Sequence, residues 1–162
     1  MKRLLVLGAA GVLMLSLWTA TPAQAAGSAT CSISGTAHFT PGLTTTAQAV
    51  SYTFGGKAAN CNSSVKTLKS GTISASGSGA KLSCTGGNSA GTGSIAWNNG
   101  TVSGFSFTTA GSGPEVKVTG KITSGQFAGL NITAALVFAA NPLQCRSGGV
   151  ASASFNGASR VA

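Results

Sequence analysis

The feature that most constrains the fold is a repeated alternation of apolar and small polar residues. Within residues 31–39, the cysteine, isoleucine, alanine and phenylalanine side chains share one parity, while the serine, threonine and histidine side chains share the other. Successive side chains of a β-strand point to opposite faces, so this pattern predicts a half-buried strand. Similar runs recur along the chain, and no segment has a convincing 3.6-residue period. The sequence therefore predicts an all-β protein with almost no helix.

The centre of the predicted core is a hairpin over residues 93–109, which contains Trp97. The pair Asn99-Gly100 separates its two apolar arms and is typical of a type I′ turn, because both residues tolerate positive φ. Val102 and Phe105 on the second arm have opposite parity. We therefore expect a β-bulge at the glycine between them to bring both onto one face.

Eight or nine short strands are predicted, separated by Gly, Asn and Pro turns. Gly55-Gly56 marks the predicted end of the second strand, and residues 85–92 are predicted to form a glycine-rich loop. This number and spacing of strands favours an antiparallel β-sandwich of the immunoglobulin-like Greek-key type. The alternative is a β-barrel.

Residues 1–25 have the features of a signal peptide. Lys2 and Arg3 precede an apolar run, and Ala23-Gln24-Ala25 gives the small-x-small pattern of a cleavage site. An uncleaved membrane helix is the less favoured alternative, because the run is short for a membrane span. The 162 residues less this leader leave 137, the size of one domain. We expect residues 26–162 to form a single secreted domain that contains no transmembrane segment. We expect this domain to be extracellular and associated with the cell wall.

Four cysteines follow the leader, and an even number in an exported chain favours two disulfides. Three pairings are possible. We favour Cys31 with Cys61, which would join early strands, and Cys84 with Cys145, which would tie the middle of the chain to its C-terminal segment. A zinc site is disfavoured, because the spacing contains no Cys-x-x-Cys pair.

The charge of the chain is strongly basic. Beyond the leader, eight Lys and Arg side chains stand against Glu115, which gives a net charge of +7. Such a surface attracts polyanions, and Lys117 and Lys121 are the candidate contacts for an anionic partner, because they share the outward parity of a predicted strand. The alternative is that scattered lysines only keep a β protein soluble and protect its edges. Specific nucleic-acid binding is disfavoured, because the aromatic residues fall mainly on apolar faces.

The composition argues against catalysis. The chain contains no Asp and one Glu, so it cannot form the paired carboxylates of a glycosidase or a carboxylate cage for calcium or magnesium. His38 and Glu115 would have to complete any serine triad, but no Gly-x-Ser-x-Gly motif accompanies them. We expect no enzymatic activity, no cofactor and no metal site.

Four motifs carry a resemblance to known proteins: Cys-Ser-Ile-Ser-Gly-Thr-Ala-His-Phe at residues 31–39, Trp-Asn-Asn-Gly at 97–100, Asn-Pro-Leu-Gln-Cys at 141–145 and Ser-Phe-Asn-Gly at 154–157. Through them the chain resembles small secreted actinobacterial proteins of uncharacterised function. The likeness covers most of the region after the leader and implies no activity or site residues. A looser similarity links it to enediyne apoproteins of the neocarzinostatin type, which are secreted immunoglobulin-like sandwiches with two disulfides. The cysteines of this chain are more widely spaced, and its charge is basic.

The leading functional hypothesis is a non-enzymatic secreted protein that binds at the cell envelope or to an anionic extracellular partner, either a cell-wall polymer or another protein. The first alternative is a carrier of a small apolar ligand, with a cleft near Trp97 and Phe107. The second alternative is a secreted inhibitor or antimicrobial protein that acts through the predicted loop at residues 85–92.

Overall fold

The structure is a computed structural model that describes residues 27–162, so the predicted leader at residues 1–25 lies outside the described residues. The described chain forms eight strands and one short helix. In chain order they are β1 (Ala29–Leu43), β2 (Gln48–Ser63), β3 (Gly71–Leu82), β4 (Gly86–Trp97), β5 (Val102–Ser112), β6 (Glu115–Gly125), β7 (Asn131–Ala139), α1 (Pro142–Ser147) and β8 (Val150–Val161).

The eight strands form a closed antiparallel barrel. Each strand pairs with the next along the chain, and β8 returns to pair with β1. Both edges of β1 are occupied, since Gly35 lies opposite Gly56 of β2 and Phe155 of β8. The predicted all-β antiparallel class is confirmed. The barrel alternative takes the place of the preferred Greek-key sandwich, because every connection joins neighbouring strands and none crosses between two sheets.

The strands are longer than the sequence pattern predicts. Gly55-Gly56 lies inside β2, and residues 86–92 belong to β4 although a loop was expected there. Gly56 contacts a neighbouring aromatic side chain, since a Cβ built on it would lie 3.2 Å from Cζ of Phe155. Glycine within these strands therefore accommodates rings inside the barrel and does not end the strand.

The hairpin between β4 and β5 has a different turn from the predicted one. The Trp97 amide donates to the Thr101 carbonyl at 2.8 Å, and the Gly100 amide donates to the Trp97 carbonyl at 3.0 Å. Positive φ occurs at Gly100 but not at Asn99. The connection is thus a three-residue loop with a glycine in the left-handed region, and the expected type I′ turn is wrong.

The expected bulge does not bring Val102 into the core. The β4–β5 pairing keeps one register throughout, and the irregularity next to Gly104 belongs to the β5–β6 pairing. Val102 therefore points outward and is 53% exposed, while Ser103 takes the inward position and is fully buried. The expectation that Val102 shares a face with Phe105 is wrong because β5 alternates without interruption.

One end of the barrel, here called the lower end, is closed by tightly packed side chains. It carries the β2–β3, β4–β5 and β6–β7 connections. Leu68 and Phe127, from the first and last of these connections, are buried against Trp97 and Ile122. The Trp97 and Phe127 rings meet edge to face, with their centroids 6.0 Å apart.

A hydrogen-bonded chain fixes the tryptophan at this end. Trp97 Nε1 donates to Ser103 Oγ at 2.8 Å, and Ser103 Oγ donates to the Gln126 carbonyl at 2.5 Å. These two hydrogen bonds pair the indole N–H, the serine hydroxyl and the carbonyl, and they link three segments: β4, β5 and the β6–β7 connection. Ser103 joins the floor of the barrel to the loop that covers it.

The two disulfides follow the pairing favoured from the sequence. Cys31 joins Cys61 near the lower end, and Cys84 joins Cys145 at the opposite end, here called the upper end. The second bond connects the β3–β4 turn to α1, and its cysteines are 61 positions apart in the sequence. In the loop-closure model each bond stabilises the fold by about 3–4 kcal/mol. Each end of the barrel therefore has one covalent link between its segments.

Replacing the buried serine tests this arrangement of the lower end. In Ser103→Ala, Trp97 Nε1 and the Gln126 carbonyl both lose their partner, so we expect the free energy of unfolding to fall by about 1–3 kcal/mol. Chemical denaturation followed by tryptophan fluorescence measures the change. Ser94→Ala, on the exposed side of β4, is the matched control and should change stability by less than about 0.5 kcal/mol. Equal effects of the two substitutions would contradict the role given to Ser103.

Candidate ligand cavity

The interior of the barrel contains a cavity of about 540 Å³. It extends from Trp97 and Ile95 toward the upper end, where Pro142 and Arg146 of α1 border it. All eight strands contribute to its wall, and the strand residues that do so are apolar or uncharged. Arg146 is the charged residue among the described residues that line the cavity.

The cavity exists because many inward positions carry glycine or alanine. An eight-stranded barrel is just wide enough either to be filled by its own side chains or to hold one small ligand. Here the small residues leave the interior of the upper part open. The inward glycines and alanines of the barrel include Gly35, Ala37, Ala75, Gly77, Gly91, Gly93, Gly120, Ala134, Ala153 and Gly157.

Several of these glycines lie directly opposite an aromatic residue on the next strand. Gly91 pairs with Phe107 and Gly93 pairs with Phe105 across β4 and β5. A Cβ built on either glycine would lie within 2.7 Å of the opposite ring. The same relation joins Gly77 to Tyr52 and Gly35 to Phe155. Each ring thus extends across the wall over the glycine opposite it, in space that a larger side chain at the glycine position would occupy.

The upper part of the wall presents partly exposed aromatic side chains. Phe39, Tyr52, Phe54 and Phe138 all line the cavity, and all are only half-buried although they point into the barrel. Phe54 stacks on Phe155 with ring centroids 4.2 Å apart. Because the residues at the lower end are almost fully buried, this exposure marks an interior that the protein's own side chains do not fill.

A small polar cluster interrupts this apolar wall. Tyr52 Oη and Ser89 Oγ are 2.7 Å apart, and Ser89 Oγ and Thr109 Oγ1 are 2.6 Å apart. All three residues line the cavity. Burial raises the pKa of Tyr52, and the nearby Ser89 and Thr109 hydroxyls oppose the rise. The phenol is therefore protonated at neutral pH and acts as a hydrogen-bonding group.

The two residues predicted for a ligand cleft both line this cavity. Trp97 lies at its floor, and Phe107 lies in its wall, both buried. The cavity is also lined by Tyr52, Phe54 and Phe138, which the sequence alone does not mark as site residues. Their alternation in the sequence predicts that they point inward. It does not predict that they face an open cavity, because that depends on small residues on the neighbouring strands.

The two lysines predicted for anionic contacts lie elsewhere. Lys117 and Lys121 point outward from β6 and are exposed, away from the cavity. Lys117 borders a shallow groove on the outer surface, with Arg160 of β8 also along it and Thr133 of β7 between them. Lys121 does not line this groove. The outer surface and the interior are therefore separate candidate sites.

Other chemistry is limited within the part of the chain that the structure describes. There, no three His, Cys, Asp or Glu side chains lie close enough together to hold a metal ion. None of the helical structure in residues 27–162 has the length and hydrophobicity that a membrane-crossing helix needs. Comparison of the chain with protein-family models, curated proteins and solved structures finds no match.

The pairing of glycines with aromatic rings can be tested by adding one methyl group. In Gly91→Ala the new Cβ would collide with the Ser76 carbonyl oxygen and lie 2.7 Å from Cζ of Phe107. Because the backbone oxygen cannot move away freely, we expect a loss of about 1–3 kcal/mol in the free energy of unfolding. Thermal or chemical denaturation measures it.

Gly55→Ala is the matched control, because a Cβ at this exposed position of β2 meets no atom within 4 Å. It should leave stability unchanged or raise it slightly, since alanine restricts the unfolded chain. If Gly91→Ala were as stable as Gly55→Ala, the close packing described for the barrel wall would be wrong.

Proposed function

We propose that this protein is a non-enzymatic carrier that binds one small apolar molecule inside its barrel. The observation that carries the proposal is the half-buried state of inward aromatic residues such as Phe54 and Phe138 around a cavity of about 540 Å³. Ligand sites are commonly apolar cavities of about 300–1,000 Å³ with a few polar groups. The cavity of this protein agrees with that description in its volume, in its mainly apolar lining and in its position inside a barrel.

The energetics favour an apolar occupant. Water inside this cavity would face mainly carbon atoms, with few partners for hydrogen bonds. A ligand that replaces this water removes its own apolar surface and that of Phe54 and Phe138 from water, which stabilises the complex by about 25 cal/mol per Å² buried. The hydroxyl cluster at Tyr52 adds a polar contact for orientation. The two disulfides are compatible with the extracellular location that the leader predicts.

Filling the cavity tests this function directly. Ala134 lines the cavity from β7, whereas its neighbour Ala135 is exposed on the outer side. In Ala134→Phe the new ring would occupy ligand space, so we expect affinity for an apolar probe, 2-ethylnaphthalene, to fall by at least about tenfold. Isothermal titration calorimetry and quenching of Trp97 fluorescence measure the affinity.

Ala135→Phe is the matched control, with the same added ring on the outer surface, and should bind the probe as the unaltered protein does. Circular dichroism confirms that both variants fold. The proposal is overturned if the unaltered protein fails to bind apolar probes of this size, or if both phenylalanine variants bind equally well.

A second candidate function is supported by the charge of the outer surface. Lys117 and Arg160 border one groove, and Lys121 lies on the same outward side of β6. With Glu115 as the one acidic side chain of the chain, this surface attracts an anionic cell-wall polymer or another anionic extracellular partner. We propose that this basic surface holds the secreted protein at the cell envelope.

Cosedimentation with purified Gram-positive cell walls tests the second function. The double variant Lys117→Gln/Lys121→Gln should bind several-fold less than the unaltered protein at low salt. Binding of both should fall in high salt, because salt screens exposed charges over about 10 Å at 0.1 M. The control Lys57→Gln/Lys81→Gln removes the same charge from β2 and β3, where both lysines are also exposed. Equal loss in the two double variants would show that net charge alone matters and would remove β6 as the binding surface.

A further inference from the structure

The hydroxyl cluster in the cavity wall has one more hydrogen-bond donor than it uses. Tyr52, Ser89 and Thr109 each carry one O–H, and two hydrogen bonds join them, with Ser89 at the centre. Each of these bonds uses one hydrogen atom. Whatever the direction of the bonds, the hydrogen of one of the three hydroxyls has no acceptor within the cluster.

The surroundings of the cluster make this spare donor costly in an apolar cavity. The residues beside it in the wall are glycines and apolar side chains, including Gly77, which lies opposite Tyr52, and Phe107 on the same strand as Thr109. A donor that an apolar ligand covers without accepting its hydrogen loses its interaction with water, which weakens binding of that ligand. A ligand with a suitable acceptor avoids this cost.

The charge of the wall selects the kind of acceptor. The strands contribute no charged side chain to the cavity lining among the described residues, and Arg146 belongs to α1 at the upper border. A carboxylate or phosphate next to Tyr52, Ser89 and Thr109 would lose its hydration without a cation on these strands. Burial also raises the pKa of Tyr52, which keeps its phenol neutral. The site therefore suits a neutral acceptor.

We propose that the ligand is an apolar molecule with a neutral carbonyl group, a ketone, aldehyde or ester, and that the Tyr52–Ser89–Thr109 hydroxyl cluster donates a hydrogen bond to this carbonyl. The inference rests on the proposed carrier function and adds the class of ligand to it. The aromatic wall binds the hydrocarbon part, and the hydroxyl cluster orients it and discriminates between ligands of equal size.

A pair of probes that differ at one group tests the inference. 2-Acetylnaphthalene and 2-ethylnaphthalene have the same ring system and similar shape, but only the first has a carbonyl. Calorimetry gives the ratio of their dissociation constants for the unaltered protein and for the triple variant Tyr52→Phe/Ser89→Ala/Thr109→Val. All three hydroxyls are removed together because any one that remained would keep a free hydrogen. The ratio corrects for any change in the general affinity of the cavity.

We expect the triple variant to shift this ratio against the ketone by about fivefold to tenfold, the effect of one net hydrogen bond. The control Ser94→Ala/Thr108→Val removes hydroxyls from the exposed side of β4 and β5 and should leave the ratio unchanged. Infrared spectroscopy supplies a second readout, since the carbonyl stretch of the bound ketone should lie at lower frequency in the unaltered protein than in the triple variant.

The outcomes separate the two proposals. If both probes bind and neither the ratio nor the carbonyl frequency changes in the triple variant, the carbonyl inference is overturned and the carrier function stands. If neither probe binds the unaltered protein, the carrier function is overturned and the carbonyl inference falls with it. A shifted ratio together with a shifted frequency supports both.

Discussion

The width of a closed eight-stranded barrel is the constraint on which the rest of this structure depends. Strand number and stagger set that width, so the side chains inside must fill it or leave part of it open. At the lower end Leu68, Ile122 and Phe127 fill it, each almost fully buried. Farther up, alanines at inward positions such as Ala75 and Ala134 leave it open. One barrel thus combines a packed core, which supplies stability, with an unfilled space suited to a ligand.

Much of the fold follows from local patterns in the sequence. Alternation predicts β structure because a strand has a two-residue period, and the two disulfides have the pairing favoured from cysteine spacing. Alternation cannot separate a barrel from a sandwich, because inward and outward residues alternate in both. The choice depends on whether β8 pairs with β1, a contact between residues more than a hundred positions apart. Hydrophobicity predicts that Val102 points inward, which would need a bulge that the β4–β5 pairing does not contain. The inward position belongs instead to Ser103, for which hydrophobicity gives no signal.

The candidate site was predictable only in part. Trp97 and Phe107 were identified because large aromatic residues at inward parity are expected in an interior. The hydroxyl cluster is not predictable from the sequence, because its members come from three different strands, β2, β4 and β5. Tyr52 also reaches Ser89 across β3, and it can do so because the residue of β3 opposite Tyr52 is Gly77. Glycine in the sequence is typical of turns, and only the strand register shows that it opens a path between side chains.

The two candidate functions use opposite faces of the same strands. On β6, Val116 and Val118 line the cavity, and Lys117 between them is exposed on the outer surface. Because alternate residues of a strand point in opposite directions, a change in surface charge leaves the cavity wall intact, and a change in the wall leaves the charge intact. The proposed attachment to an anionic surface and the proposed binding of a ligand inside the barrel would therefore be independent of each other. A protein held at the envelope through Lys117 would keep its cavity free to take up a ligand there.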